Sequence, residues 1–362
     1  MSAVLFVTNG HGEAAIAKRI ARDVRGLAPL ATEHFGLVGE GLGGADFPDV
    51  GPQRAMPSGG LVAMGNVRAF ARDLGAGWLG LFAAQVRFLR SVRRRYALVV
   101  AVGDAYAAAL TRMTRLPWIF VGTAKSEYVS PYAEIERRVV VAAKRIFVRD
   151  AATAAALRRR GLRAEAPGNV IVDLLVEERG YDWPRPVRIA LLPGSRERAY
   201  ADAERIAAIV DRVAARVPGV AAVMSLAPNL EPARFGGVFE RHPAIAAWPG
   251  GIGGILAGAT LAIGQAGTAN EAAAASGVPV VALELSGDRR DGWYRMRQER
   301  LLAEAMVVVP GEPEAATEAI VALLNDRARL ARMAAAGRER MGPGGGAAAI
   351  AQAVVELVWP PA

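Results

Sequence analysis

The sequence predicts an α/β protein of two Rossmann-like domains with parallel sheets, and three observations predict it. Short continuous apolar runs alternate with helical segments from one end of the 362 residues to the other, the pattern of strands buried on both faces by crossover helices. Glycine-containing loops follow several of these runs directly. A polar stretch rich in turn residues, EERGYDWPRP, interrupts the pattern near mid-chain.

Taken in order, SAVLFVT, EHFGLVG, ALVVAVG, WIFVG and KRIFVRD read as strands of a first domain. VRIALLPG, AAVMSLA, TLAIG and VPVVALE read as strands of a second. The boundary falls between Val176 and Arg188, giving a first domain over 1–178 and a second over 179–342. GPGGG at 342–346 reads as a hinge, and the helical AAAIAQAVVELVW after it as a closing helix within 343–362. Pro243 to Asn270 carries no formal charge and is long enough to cross a bilayer, but Pro249 and the glycines at 250, 251, 253 and 254 break it into loop, short helix and strand.

The net charge of +9 invites nucleic acid or an anionic surface as partner. Only Lys18, Lys125 and Lys144 are lysines, however, and the arginines are spread along the whole chain. Aromatic residues, at 6%, do not interleave with a compact basic cluster, so no nucleic-acid partner is expected. With no cysteine, disulfides, thiolate metal sites and cysteine nucleophiles are excluded. MSAVLFVTNG lacks a basic region before a short apolar run, which leads to the expectation of a cytoplasmic protein.

The stretch GQAGTANEAAAASGVPVVALE at 264–284 is the most specific signal. A glycine turn after TLAIG lets the backbone approach a ligand, and Thr268 or Asn270 can cap the helix that begins there. The first amides of that helix and its dipole suit a phosphate. Glu271, one turn in, suits a pair of neutral hydroxyls such as those of a ribose. An alanine-rich packing helix behind a glycine loop is the plain alternative. LLPGSRERAY at 191–200 is a second loop of this kind, in which Ser195, Arg196 and backbone amides suit a diphosphate; its alternative is an ordinary strand-to-helix turn with a surface arginine.

In the first half, NGHGEAA at 9–15 follows the opening strand and matches GxGxxA, weak evidence for a dinucleotide cofactor. His11, one of three histidines, sits in that loop as a candidate base or phosphate contact, or as an exposed loop residue. Asp104 follows ALVVAVG, where a carboxylate serves either as a general base or as the cap of the helix DAYAAALTRM. From Asn66 to Arg95, Trp78, Leu79, Leu81, Phe82, Phe88 and Leu89 accompany seven arginines and one aspartate. That composition suits an anionic membrane surface, or a core-packed helix with a solvated arginine face.

Five stretches in this order resemble lipid-A-disaccharide synthase and its related proteins among the GT-B glycosyltransferases: NGHGEAA, VAVGDAYAA around Asp104, EYVSPYAE at 127–134, APGNVIVDLL followed by LLPGSRE, and GQAGTANEAAAASGVP. The resemblance implies GT-B architecture, with the two parallel sheets facing a central cleft. It implies Asp104 as catalytic aspartate; His11, which the family's first loop lacks, is the competing candidate base. It places the nucleotide-sugar donor, of the UDP-linked N-acetylglucosamine type, at Gly194, Ser195, Arg196, Gln265, Gly267, Thr268, Asn270 and Glu271, and puts Gly10, Gly12 and Glu13 on the acceptor side. The implied reaction is inverting transfer to a lipid or cell-envelope acceptor, with neither metal nor cofactor, by a protein that is cytoplasmic or peripheral on the inner membrane face. Two departures stand out. The first loop is GHGEAA where the synthases have roughly GEASGD, and GDAYAA lacks their second aspartate. A different acceptor or sugar is therefore expected. The rival readings are a UDP-N-acetylglucosamine 2-epimerase and a catalytically silent nucleotide-sugar or lipid-binding protein.

Overall fold

The computed structural model describes residues 3–39, 43–54, 74–175, 180–195, 197–228, 230–265, 267–284 and 289–359. The chain divides into two units, Met1–Asp173 with Gly344–Ala362, and Leu174–Pro343.

The first unit holds a parallel six-stranded sheet: β1 (Ala3–Thr8), β2 (Ala31–Gly36), β3 (Tyr96–Gly103), β4 (Trp118–Gly122), β5 (Arg145–Val148) and β6 (Ala164–Glu165), in the spatial order β2-β1-β3-β4-β5-β6. Its apolar strands are buried on both faces: Leu5, Val7, Val99 and Ala101 point to one face and Val4, Phe6, Val100 and Val102 to the other, each at 0% exposure. Complete burial of such side chains contributes about 1.5–3 kcal/mol apiece, which holds the strand ends in fixed register. The second unit repeats the plan with β7 (Val187–Leu192), β8 (Val220–Ser225), β9 (Ile245–Trp248), β10 (Leu261–Gly264), β11 (Val280–Glu284) and β12 (Met306–Pro310), in the order β12-β11-β10-β7-β8-β9. All its strand pairs are parallel.

Three strands escaped the sequence reading, and all lie toward a sheet edge: β6, β9 and β12. An edge strand needs less burial, so its apolar signal is short: β6 is two residues, and β9 is IAAW, within the stretch 243–270. β2 starts two residues before EHFGLVG and ends at Gly36. The uncharged stretch folds as β9, the helix Ile252–Leu256 and β10. Among the described residues one other stretch, 327–358, reaches the length and hydropathy of a membrane span. It consists of two helices, Arg327–Met341 and Gly346–Val358, separated by a turn in which Gly342 and Gly345 take φ of 73° and 93°.

The helix Gly346–Val358 returns to the first unit, and APGNVIVDLL supplies its fastening. Asp173, 6% exposed, accepts the amides of Gly345 at 2.6 Å and Ala347 at 2.7 Å, acting as a remote cap. Gly168, at φ 149°, lies so close to this helix start that a Cβ there would come within 2.4 Å of the Gly344 carbonyl oxygen.

Of the basic amphipathic stretch, 74–95 is described and 66–73 lies outside the described residues. The helix Trp78–Ser91 buries Gln85 and Leu89, and Phe88 packs on Phe35 at 4.8 Å. Trp78 stacks on Phe82, itself half-buried against the same core. Phe82, Phe88 and Leu89 therefore serve the core, while Leu79, Arg87 and Arg90 face outward.

A polar array sits inside the first unit beside β1. The His34 ring, fully buried, lies 2.8 Å from the Thr8 hydroxyl through Nε2 and 2.5 Å from Asp49 through Nδ1. Burial holds the imidazole below its ordinary pKa, against the opposing pull of Asp49. Asp49 also accepts from the Gly43 amide and from Gln53, so the array ties the segment after β2 to the sheet.

Candidate functional site

Each sheet has a place where the winding reverses. In the second unit β7 leads outward through β8, and β10 leads the other way through β11, so the loops after β7 and β10 emerge side by side. Gly264 registers with Leu192, and the Gln265 amide donates to the Leu192 carbonyl at 3.1 Å. Ligands of doubly wound sheets bind beyond the carboxyl ends at such a reversal. Both phosphate-type loops read from the sequence meet there.

After β7, Pro193 is buried and Gly194 takes φ 114°, a conformation reserved for glycine, which turns Ser195 out to solvent. Arg196 lies outside the described residues. Glu197, in the same turn, is paired with Arg234 at 3.1 Å, which offsets a carboxylate that would repel a phosphate. After β10, the helix Gly267–Ala275 begins with Gly267 and Thr268 exposed. Glu271 lies three residues beyond Thr268 on the same face and is half-buried.

Asn270 takes a different place from the one expected. Thr268 and Asn270 both lie inside the helix, so neither is its cap. Asn270 is 2% exposed and donates to Gln298 Oε1 at 2.8 Å, which ties the helix start to the helix Arg289–Leu302. Its Oδ1 sits where a Cβ on Gly264 would be, at 1.9 Å, so glycine at 264 is required for space. Gln298, whose amide nitrogen lies 3.3 Å from the position of a Cβ on Gly267, stands at the mouth of this site. Nothing in the local pattern around Gln298 signalled it, because its placement depends on a crossing helix.

In the first unit the reversal lies between β1 and β3, whose ends register Thr8 with Val102. The residues just beyond are Asn9 and Asp104. Asp104 caps the helix Ala105–Thr111: its Oδ1 accepts the amides of Tyr106 at 3.0 Å and Ala107 at 3.1 Å. Its Oδ2 accepts the side-chain amide of Asn9 at 2.9 Å. Three of about four acceptor positions on the carboxylate are thereby filled, and among the described residues nothing takes the remaining one on Oδ2. Burial, reinforced by the Asp104 charge, pushes the Tyr106 phenol up to about 12, so it stays neutral.

Gly10, Gly12 and Glu13 open the helix His11–Leu27, and Gly10 offers it no side-chain cap. The Glu13 carboxylate curls back over Gly10, where a Cβ would lie 2.7 Å from Oε2. Gly103, at φ 138°, has Glu13 and Asn9 as neighbours on the side where a Cβ would point. The side chain of His11 lies outside the described residues. Tyr132 of EYVSPYAE is a core residue, 4% exposed, with its phenol against Gly122.

No family model matches the chain, and no curated protein matches it. Solved structures do. A protein from Listeria monocytogenes assigned as a UDP-N-acetylglucosamine 2-epimerase matches at TM-score 0.65 and 15% identity, over 98% of this chain and 96% of its own. The UDP-GlcNAc 2-epimerase of Neisseria meningitidis, bound to UDP-GlcNAc, matches at TM-score 0.59 and 12% identity, over 98% and 100%. MurG of Acinetobacter baumannii matches at 0.58 and 16%, over 99% of both chains. These likenesses show the fold: two parallel six-stranded α/β units of GT-B-like plan.

Proposed function

We propose that this GT-B chain transfers a sugar from a nucleotide donor, of the UDP-linked N-acetylglucosamine type, to a hydroxyl of a lipid or cell-envelope acceptor, as a relative of lipid-A-disaccharide synthase. The observation that carries the donor half is the pairing of the Ser195 and Gly267 loops at the winding reversal of the second unit. The free amides at the start of the helix Gly267–Ala275, the Ser195 hydroxyl and Arg196 receive the diphosphate, and Glu271 receives the ribose hydroxyls. Asp104 is the base. Its open position on Oδ2 takes the acceptor proton while the acceptor oxygen bonds to the anomeric carbon. The bond from that carbon to the diphosphate breaks, its electron pair leaving with the nucleotide, and the sugar inverts. A cytoplasmic protein resting on an anionic membrane through the outward arginines fits a lipid acceptor.

The second reading, a nucleotide-sugar 2-epimerase, is favoured by the UDP-N-acetylglucosamine 2-epimerases among the similar structures. Incubation with UDP-N-acetylglucosamine alone separates the two. An epimerase changes the sugar and leaves the diphosphate link intact without an acceptor. A transferase releases UDP, and release rises with added acceptor; a new UDP-linked epimer with no UDP release would replace the transfer reading.

A further inference from the structure

We propose that Asn9 positions Asp104 and that its side-chain carbonyl and the open position on Asp104 Oδ2 form the docking point for two neighbouring neutral hydroxyls of the acceptor, one donating to each oxygen. The inference rests on reading Asp104 as the acceptor-side base. Asn9 is 5% exposed and follows β1 at the winding reversal. Its orientation is fixed by chemistry: an ionised carboxylate only accepts, so the amide NH₂ must face Asp104, as it does at 2.9 Å. The carbonyl Oδ1 must then face the other way. It is buried and has no hydrogen-bond partner among the described residues.

A buried amide oxygen left without a donor is uncommon, and a ligand that brings one removes the deficit. The surroundings decide what kind of donor. Asp104 is a carboxylate and Asn9 offers an oxygen, so an anionic group is repelled and a hydroxyl is welcome. Gly103 keeps a side chain out of this corner: a Cβ there would lie 3.4 Å from Glu13 Cγ and 3.6 Å from Asn9 Cβ. The class implied is a neutral sugar or polyol hydroxyl rather than a phosphate. The proton of the attacking hydroxyl passes to Asp104 Oδ2 as its oxygen attacks, while the neighbouring hydroxyl donates to Asn9 Oδ1 and fixes the line of approach.

A crystal structure at high resolution, soaked in turn with N-acetylglucosamine and with sulfate, tests the docking point without requiring turnover. The expected result is water bonded to Asn9 Oδ1 and to Asp104 Oδ2 in the unsoaked crystal, replaced by two neighbouring sugar hydroxyls in the first soak and undisturbed by sulfate. A protein group bonded to Asn9 Oδ1, an empty position, or sulfate bound there overturns it. In solution, Asn9→Ala and the shape-conserving Asn9→Asp lower kcat for UDP release from UDP-N-acetylglucosamine on the order of 10²-fold, with the donor KM unchanged. Unchanged kcat in both variants, with both folded by circular dichroism, also overturns it. A wild-type protein that binds UDP but releases none contradicts the proposed reaction instead, and the soak still decides the docking point.

Discussion

Asn9 donates its side-chain amide to Asp104 Oδ2 across 2.9 Å, joining the ends of β1 and β3 where the first sheet reverses its winding. The other oxygen of Asp104 is spent on the Tyr106 and Ala107 amides. The sequence alone left cap and base as alternatives for Asp104. The geometry makes it the cap, with one acceptor position left for a proton.

The two roles separate by substitution. Asn is as good a cap as Asp, so Asp104→Asn is expected to keep the melting temperature nearly unchanged while turnover falls about 10²- to 10⁴-fold. Asp104→Ala loses the cap as well and costs about 1 kcal/mol in stability. Thermal unfolding and turnover of both variants check this, and full activity in Asp104→Asn removes it as base.

Asp173 fastens the returning helix through the amides of Gly345 and Ala347. Hydrogen bonds to a charged group contribute about 1.5–3 kcal/mol each, so Asp173→Ala is expected to cost about 3 kcal/mol, the lower end of that range for the pair. Hydrogen exchange should quicken in 346–358 first. Uniform change across the first unit, with no excess in that helix, contradicts the cap.

His34 makes stability depend on pH. Its folded pKa lies below 6.5 because burial disfavours the charged ring, so the unfolded chain binds the proton first on acidification. The contribution is complete above pH 6.5 and is lost as pH falls toward the lowered folded value, by up to about 1.4 kcal/mol per pH unit. Denaturant unfolding between about pH 5 and 7 checks the slope, which His34→Gln should flatten. A slope of the opposite sign contradicts the burial argument.

Membrane attachment, if it occurs through the helix Trp78–Ser91, cannot use the aromatic residues on its inner side, because Phe82 and Phe88 pack on the core. It must be electrostatic, through Arg87, Arg90 and neighbouring arginines with exposed Leu79. Sedimentation with anionic vesicles should show weak binding, worth about 1 kcal/mol per arginine and lost in high salt. Equal binding to neutral vesicles contradicts that mode.

Central strands were legible in the sequence because burial on both faces forces unbroken apolar runs, as in ALVVAVG and VRIALLPG. The edge strands β6 and β9 were not, since their apolar runs are short, whereas β12, MVVVP, was missed although its run is as long as that of β11. Glycine turns announced the loops that begin at Gly194 and Gly264, because backbone conformation at the first and crowding by Asn270 at the second require that residue. Gln298 and the inward turn of Asn270 depend on a helix that crosses from elsewhere, and no local spacing encodes that. Asn9 lay inside a motif already singled out, yet its contact with Asp104 spans 95 positions and follows from strand order alone.

The central claim is that the paired loops of the second unit hold a nucleoside diphosphate. Calorimetric titration with UDP and UDP-N-acetylglucosamine, on the wild type and on Glu271→Ala, tests it most directly. Micromolar binding weakened about 10- to 100-fold in the variant is expected, the loss of a charged acceptor for two hydroxyls. Absence of binding in the wild type, or equal binding by Glu271→Ala, contradicts the account.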